Sequence, residues 1–158
     1  MMGNKIKILY VDDEENNLLS FKACFRIKYE VFLAISAKVG LEILDNHPEI
    51  QVVITDQRMP DTTGVEFLQL LIEKHPNPIR IMLTGFANFA DTVDAVNLGK
   101  IFGYLNKPWE EKSLGETLDK AVQKFNEDEA IRTKAKQTEE AERLANQMEF
   151  ILRQELLS

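Results

Sequence analysis

The sequence predicts an α/β fold: a doubly wound, parallel, five-stranded sheet with helices on both faces. Two observations predict it: the alternation of two kinds of segment, and the number of these units, which is five. From Lys5 to about Asn106, short apolar runs alternate with stretches whose apolar residues recur at three- and four-residue spacing, as in amphipathic helices. Strands that alternate with helices of this length pair in parallel through right-handed crossovers. Five such units match the flavodoxin-like sheet of strand order 2-1-3-4-5, whose functional site lies at the carboxyl ends of the strands.

The apolar runs are the predicted strands, and the amphipathic stretches between them are the predicted helices. The strands are KIKILYV (5–11), YEVFLAIS (29–36), VVIT (52–55), IRIMLT (79–84) and IFGYL (101–105). The helices are NNLLSFKACFRIK (16–28), AKVGLEILDN (37–46), GVEFLQLLIEKH (64–75) and NFADTVDAVNLG (88–99). His47 and His75 each precede a proline, so we expect both to end helices rather than to bind ligands.

The C-terminal part has a different texture. It contains no proline after Pro108 and a single early glycine, Gly115, so one helix is predicted from Glu116 to Leu157. We expect residues 1–125 to form one domain and residues 126–158 to form a helical, coiled-coil-like extension. Its apolar residues at three- and four-residue spacing are Ala141, Leu144, Met148 and Ile151, with Leu152 and Leu156 beside them. Such a helix pairs with another copy as a homodimer or leads into a missing output domain; a frayed, solvated tail is the alternative.

Composition argues against several classes of protein. The formal net charge of −7 disfavours nucleic acid binding, because phosphate contacts need a basic face. No segment approaches the roughly 20 apolar residues of a membrane span, and the apolar stretch near the start is too short for a signal peptide. We therefore expect a cytoplasmic protein that contacts no membrane. The single cysteine, Cys24, excludes an internal disulfide, and its amphipathic flanks predict a buried structural thiol.

Polar residues that carry chemistry follow four of the five predicted strands. Asp12 and Asp13 follow the first strand, Asp56 the third, Thr84 the fourth and Lys107 the fifth. Each has an ordinary explanation alone, as a helix cap, a turn residue or a surface charge. The carboxyl ends of parallel strands meet at one edge, however, so we expect these residues to form a single site.

Three carboxylates in one cleft are expected either to take up protons or to bind a metal ion. Two carboxylates about 4 Å apart repel by roughly 1 kcal/mol in water and by about 4 kcal/mol at an effective dielectric constant of 20. Oxygen ligands with no histidine or cysteine beside them favour Mg2+ over Ca2+, because so few protein ligands leave room for waters and a phosphoryl group. A carboxylate nucleophile, a divalent ion, a lysine and a hydroxyl are the groups that phosphoryl transfer to an aspartate needs.

The motifs VDDE, TDQRMP, LTG and YLNKPW, in this order at the ends of the predicted strands, resemble the receiver domain of two-component response regulators. The resemblance covers about Lys5 to Phe125. It implies that Asp56 accepts a phosphoryl group from a sensor histidine kinase or a phosphotransfer protein. It also implies a signalling domain that catalyses only its own phosphorylation and dephosphorylation. Asp13 and Asp56 then bind Mg2+ directly, Asp12 acts mainly through water, and the backbone carbonyl of Arg58 completes the protein ligands.

The resemblance also implies a conformational switch. Lys107 neutralises the phosphoryl oxygens, and receivers usually hold the bond between Lys107 and Pro108 in cis. Thr84 hydrogen bonds to a phosphoryl oxygen, and Tyr104 moves inward as Thr84 shifts. The fourth helix, the fifth strand and the fifth helix form the readout surface, which controls an output domain or effector protein through the C-terminal helix.

Two positions that vary among receivers concern the lifetime of the phosphate. Arg58 and Phe86 lie two residues beyond Asp56 and Thr84. We expect their bulk to shield the acyl phosphate from water and to slow self-dephosphorylation.

Two other functions stay open. One is a phosphorylation-independent adaptor or scaffold. The site residues that are intact argue against it: Asp13, Asp56, Thr84 and Lys107. The other is a Mg2+-dependent phosphohydrolase, which needs an aspartate two residues after its nucleophile, where Arg58 stands.

Overall fold

The computed structural model describes residues 4–85 and 100–158, which form five strands and four helices. In chain order these elements are β1 (Lys7–Val11), α1 (Glu15–Phe25), β2 (Glu30–Ala34), α2 (Ala37–Asn46), β3 (Val52–Asp56), α3 (Gly64–Lys74), β4 (Ile79–Thr84), β5 (Gly103–Asn106) and α4 (Glu111–Leu157). The predicted helix at 88–99 lies outside the described residues, as does Phe86.

The five strands form one parallel sheet in the order β2-β1-β3-β4-β5, which confirms the predicted architecture. Val11, at the end of β1, pairs with Ala34 of β2 and with Thr55 of β3. At the other side of the sheet, Thr84 of β4 pairs with Asn106 of β5. This register aligns the carboxyl ends of the strands, so the residues that follow them share one edge.

The core lies on both faces of the sheet, because successive strand residues point to opposite sides. In β1, Ile8 and Tyr10 face α1 and the first turns of α4, while Leu9 and Val11 face α2 and α3. Every residue of β3 is buried, as expected for a central strand covered by helices on both sides. The sheet is therefore a rigid support for the residues at its edge.

Local signals in the sequence explain where two helices begin and end. The Ser36 hydroxyl accepts a hydrogen bond from the Val39 N–H at the start of α2, and Thr63 does the same for the Glu66 N–H at the start of α3. His47 and His75 are the C-cap residues that directly follow α2 and α3, which confirms the prediction that these residues end helices.

Several expectations about local structure were wrong, and three of them have a clear physical reason. Cys24 is exposed, because α1 turns Phe21 and Phe25 into the core and leaves the positions between them facing solvent. The last helix begins at Glu111 rather than Glu116, because the buried Leu114 anchors an additional first turn. The fifth strand spans Gly103–Asn106 rather than 101–105, because its ladder with β4 runs from Ile81–Gly103 to Thr84–Asn106.

The chain divides into two compact units, Met1–Phe125 and Asn126–Ser158. The second unit is helical as far as Leu157, and its large apolar side chains are exposed, with Leu144 and Ile151 each 54% accessible and Met148 63%. Within the described ranges, no helix combines the length and the apolar composition needed to cross a membrane.

Candidate functional site

The carboxyl edge of the sheet brings together residues from three strands. Asp12 directly follows β1, Asp56 is the last residue of β3, and Lys107 directly follows β5. Lys107 Nζ lies 2.6 Å from Asp12 Oδ2 and 3.2 Å from Asp56 Oδ2. The Lys107 backbone N–H donates to the carbonyl of Thr84 at 2.8 Å, which extends the β4–β5 pairing by one step and directs the lysine to this edge.

Three carboxylates meet at this edge, and we call Asp12, Asp13 and Asp56 the acidic cluster. One oxygen from each of them lies within 4.8 Å of the others. Asp12 is fully buried, Asp56 is 7% exposed and Asp13 is half-buried, so the open side of the cluster is that of Asp13. Hard oxygen donors at this separation, with waters able to reach them, fit Mg2+. Receiver domains typically use Mg2+ at an acidic pocket of this kind.

Hydrogen-bond donors surround the carboxylate of Asp12. Its Oδ1 accepts from the Glu14 backbone N–H at 2.9 Å. Its Oδ2 accepts from Lys107 Nζ and from Tyr10 Oη, each at 2.6 Å, and from Asn17 Nδ2 at 3.2 Å. Both oxygens are therefore occupied and the carboxylate is fixed in one orientation.

The surroundings change the proton affinities of three groups in the site. Burial raises the pKa of Asp56; the nearby Lys107 charge opposes this rise, whereas the Asp12 charge adds to it. Burial alone lowers the pKa of Lys107, but its hydrogen bond to Asp12 and the charges of Asp12 and Asp56 outweigh burial and raise it. Burial, followed by the hydrogen bond to Asp12, raises the pKa of Tyr10. Lys107 therefore stays cationic and the Tyr10 hydroxyl stays a donor at neutral pH.

The loop between β3 and α3 holds the end of β3 in place. The Gly64 N–H donates to the Gln57 carbonyl at 2.9 Å, and the Val65 N–H donates to Gln57 Oε1 at 3.0 Å. A Cβ at Gly64 would lie 2.4 Å from the carbonyl oxygen of Asp56, so only glycine fits this approach without a shift of the backbone. Arg58 is exposed in this loop, and its backbone N–H hydrogen bonds to Asp56.

The two residues that the resemblance assigns to the switch lie on adjacent strands. Thr84, the last residue of β4, is 1% exposed. Tyr104 of β5 is half-buried and packs against the core on the α2–α3 face. The Lys107–Pro108 peptide bond is cis.

Sequence reasoning missed Tyr10 and Asn17, two of the donors to Asp12. A signal was available for Tyr10. It lies two residues before Asp12 on a predicted strand, and side chains two apart on a strand lie on the same face. A hydroxyl at that position was therefore a candidate partner for the carboxylate.

Comparison with known proteins identifies the family. Residues 8–119 match the family model described as the response regulator receiver domain. The chain belongs to this family. Receiver domains are signalling domains of two-component response regulators, which act with histidine kinases and output domains.

Sequence relatives of this receiver include transcriptional regulators. It is 32% identical over 118 residues to the hydrogenase transcriptional regulatory protein HoxA of Bradyrhizobium diazoefficiens, covering 75% of the chain and 24% of the relative. It is 36% identical over 104 residues to the regulatory protein VanR of Enterococcus faecium, covering 65% of the chain and 44% of the relative. The chain thus spans about a quarter of the length of HoxA.

Solved structures of similar fold include receiver domains. One is a response regulator receiver domain protein from Clostridium thermocellum, with a TM-score of 0.71, 33% identity, and coverage of 75% of this chain and 95% of that one. Another is the signal receiver domain of an HD domain-containing protein from Pseudomonas fluorescens, with a TM-score of 0.74, 28% identity, and coverage of 78% and 99%.

Proposed function

We propose that this receiver accepts a phosphoryl group on Asp56 from a phosphohistidine of a histidine kinase or phosphotransfer protein, in a Mg2+-dependent reaction. The observation that carries the proposal is Lys107 Nζ, which lies between two carboxylates, 2.6 Å from Asp12 and 3.2 Å from Asp56. A cation held beside a nucleophilic carboxylate is placed to receive the negative charge of an incoming phosphoryl group.

The transfer exchanges one bond for another at phosphorus. A carboxylate oxygen of Asp56 attacks the phosphorus atom, and the bond from phosphorus to the histidine nitrogen breaks. The bonding electron pair stays on the histidine nitrogen. The second ring nitrogen of the phosphohistidine carries a proton, so the imidazole is released in its neutral form. Lys107 turns from Asp12 towards the phosphoryl oxygens and neutralises part of their charge.

The acidic cluster is proposed to hold the metal. Asp13 and Asp56 bind Mg2+ directly, and the backbone carbonyl of Arg58 completes the protein ligands. Asp12 acts through water, which agrees with the occupation of both of its oxygens by hydrogen-bond donors. When bound, Mg2+ supplies positive charge that favours the transition state for phosphoryl transfer.

The switch is proposed to pass from Thr84 to Tyr104. A phosphoryl group on Asp56 offers new acceptor oxygens to the Thr84 hydroxyl at the neighbouring strand end. Movement of Thr84 vacates space that the half-buried ring of Tyr104 occupies. The equilibrium between the unphosphorylated and phosphorylated conformations shifts by the difference in free energy that these contacts have in the two conformations. The fifth strand and the C-terminal helix then transmit the change to an output domain or effector protein.

Arg58 and Phe86 are proposed to set the lifetime of the phosphate. Arg58 extends from the loop that directly follows Asp56, where a long side chain can shield the acyl phosphate from water. Replacing both residues with alanine is expected to speed the loss of phosphate. An unchanged hydrolysis rate would rule this role out.

Residues 126–158 are proposed to form a separate functional part, a helical extension that pairs with a second copy of the chain. The exposure of Leu144, Met148 and Ile151 in this unit supports the proposal, because an isolated helix gains stability when such residues are covered.

Incubation with Mg2+ and acetyl phosphate, followed by mass measurement, tests the central proposal. We expect one phosphoryl group per chain and none in Asp56→Asn. Absence of modification, with no response to beryllofluoride, would favour the adaptor. Continuous turnover of unrelated phosphoesters would favour the phosphohydrolase.

A further inference from the structure

We propose that Tyr10 is a positioning residue of the acidic cluster: its hydroxyl holds the Asp12 carboxylate and thereby sets the affinity of the site for Mg2+. The inference rests on the proposed function, because it concerns the same metal site. It adds a residue to which neither the motifs nor the family resemblance gave a role.

The hydrogen bond between Tyr10 and Asp12 is buried, so its loss is not readily compensated by water. Tyr10 and Asp12 are both fully buried, and Tyr10 Oη lies 2.6 Å from Asp12 Oδ2. Water cannot readily replace a donor lost at this place, so removing the hydroxyl leaves the buried carboxylate with one bond fewer. The core also positions the hydroxyl, because the Tyr10 ring packs against the Phe21 ring, with 4.9 Å between the ring centroids.

Tyr10 and Lys107 share one oxygen of Asp12 but differ in their freedom to move. Lys107 also contacts Asp56, at 3.2 Å, and the proposed reaction draws it towards the phosphoryl group. Tyr10 lies on the central strand β1 and is enclosed by the core, so it stays in place when Lys107 turns away. Of the two close donors to Oδ2, Tyr10 is thus the one that stays bound to Asp12 when Lys107 turns away.

The expected size of the effect comes from known metal sites. Carboxylates that face a metal are oriented by hydrogen bonds from groups behind them, and loss of such a group typically weakens metal affinity by 10- to 100-fold. Tyr10 orients Asp12, which in the proposed site acts on the metal through water, so the low end of this range applies. We therefore expect Tyr10→Phe to weaken Mg2+ binding by about tenfold.

A merely structural role makes a different prediction, and Tyr29 provides the matched control. Its hydroxyl also donates to a carboxylate, Asp119, at 2.9 Å, and its ring belongs to the same buried cluster. Asp119 is not part of the acidic cluster. If the two hydroxyls served only stability, Tyr10→Phe and Tyr29→Phe would leave Mg2+ affinity equally unchanged.

The experiment is a Mg2+ titration of the full chain by isothermal titration calorimetry, for the unaltered protein, Tyr10→Phe and Tyr29→Phe. The emission of Trp109, the single tryptophan, gives a second readout. Urea unfolding shows that each variant is folded. Compared with the unaltered protein, we expect the Mg2+ affinity to be about tenfold lower in Tyr10→Phe. In Tyr29→Phe it should change by less than about twofold.

The outcomes are distinguishable. Equal Mg2+ affinity in Tyr10→Phe and the unaltered protein overturns the role of Tyr10 and leaves the proposed function standing. No Mg2+ binding by the unaltered protein removes both. If Tyr10→Phe does not fold, Asn17→Ala removes the longer donor to the same oxygen, at 3.2 Å. It should weaken Mg2+ binding by about two- to fivefold, below the effect expected for the closer donor Tyr10. Unchanged affinity overturns the inference.

Discussion

Lys107 and Asp12 are separated by 95 positions in the sequence, yet their side chains form a 2.6 Å ion pair at the carboxyl edge of the sheet. Lys107 is 17% exposed and the Asp12 side chain is fully buried, so the pair is shielded from most of the screening that weakens surface pairs. Because Lys107 also reaches Asp56, one cation offsets two carboxylates. The stability of the domain and its affinity for cations should therefore depend on the same residue.

Replacing Lys107 with methionine keeps most of the side-chain volume and removes the charge. Without Mg2+, we expect the free energy of unfolding to fall by about 3 kcal/mol, the low end for a buried pair because Lys107 is partly exposed. Mg2+ should restore part of this loss. Urea unfolding with EDTA and with Mg2+ measures both effects. Lys28→Met breaks an exposed pair with Asp119 and should cost less than about 1 kcal/mol in either buffer. Equal losses in the two variants would contradict the prediction.

Asp56→Asn should have the opposite effect on stability. It removes one of three neighbouring negative charges, and burial disfavours the charged form of this carboxyl, as its raised pKa shows. We expect the free energy of unfolding without Mg2+ to rise by about 1 kcal/mol. The stabilisation by Mg2+, which reaches about 2.7 kcal/mol at 100 times the dissociation constant, should be largely lost. Thermal unfolding at increasing Mg2+ concentrations tests this, and the same Mg2+ dependence as in the unaltered protein would argue against Asp56 as a ligand.

Much of this arrangement follows from the order of the sequence. A parallel sheet places the ends of its strands at one edge, so the residues after each apolar run were enough to predict that Asp12, Asp56 and Lys107 meet. This prediction did not require any interatomic distance, because the alternation of strands and helices predicts a parallel sheet, and that topology places the strand ends together.

What the sequence did not reveal depends on the details of side-chain packing. Tyr10 was assigned only to a strand, because whether its hydroxyl reaches Asp12 is set by its rotamer and by the fit of Phe21 against it. Cys24 was misplaced because the buried stripe of α1 is narrow, and a shift of one position along a helix rotates a side chain by about 100°. The hydrogen bond of Tyr10 and the exposure of Cys24 both depend on which face of a strand or helix packs against the core.

The turn after Asp56 should tolerate no side chain at Gly64. A Cβ there would lie 2.4 Å from the Asp56 carbonyl oxygen and 3.0 Å from Gln57 Cα, so the backbone must move. We expect Gly64→Ala to lower the free energy of unfolding by about 1–3 kcal/mol and to slow phosphorylation by acetyl phosphate. Gly115→Ala is the matched control, because its Cβ would come no closer than 3.8 Å to Phe25. In a helix it should stabilise by about 0.5–1 kcal/mol. A stable Gly64→Ala protein with a normal phosphorylation rate would show that the loop adapts.

Asp119 should make stability depend on pH. Its hydrogen bonds from Lys28 and Tyr29 lower its pKa in the folded chain. A carboxyl whose folded pKa is lowered contributes stability that is present above its unfolded pKa of about 3.9 and is lost as pH falls through the folded value. The side chain is 56% exposed, so solvent screening keeps the contribution below about 1 kcal/mol. Asp119→Asn should be less stable than the unaltered protein at pH 7, with the difference shrinking below about pH 4. Urea unfolding across this range is the measurement, and a constant difference would contradict it.

The C-terminal extension should hold two copies of the chain together through the apolar seam formed by Ala141, Leu144, Met148 and Ile151. Burying a charged side chain in the seam against another helix costs free energy, because the charge loses its contact with water. The double variant Met148→Glu/Ile151→Glu should therefore dissociate the dimer. Asn146 lies on the opposite face of the helix, since residues of an α-helix follow at about 100° intervals. Asn146→Glu should therefore leave the dimer intact. Sedimentation equilibrium at several protein concentrations, with and without beryllofluoride, distinguishes these outcomes. A monomeric unaltered chain, or a dimer that the double variant does not weaken, would show that the seam does not join two copies.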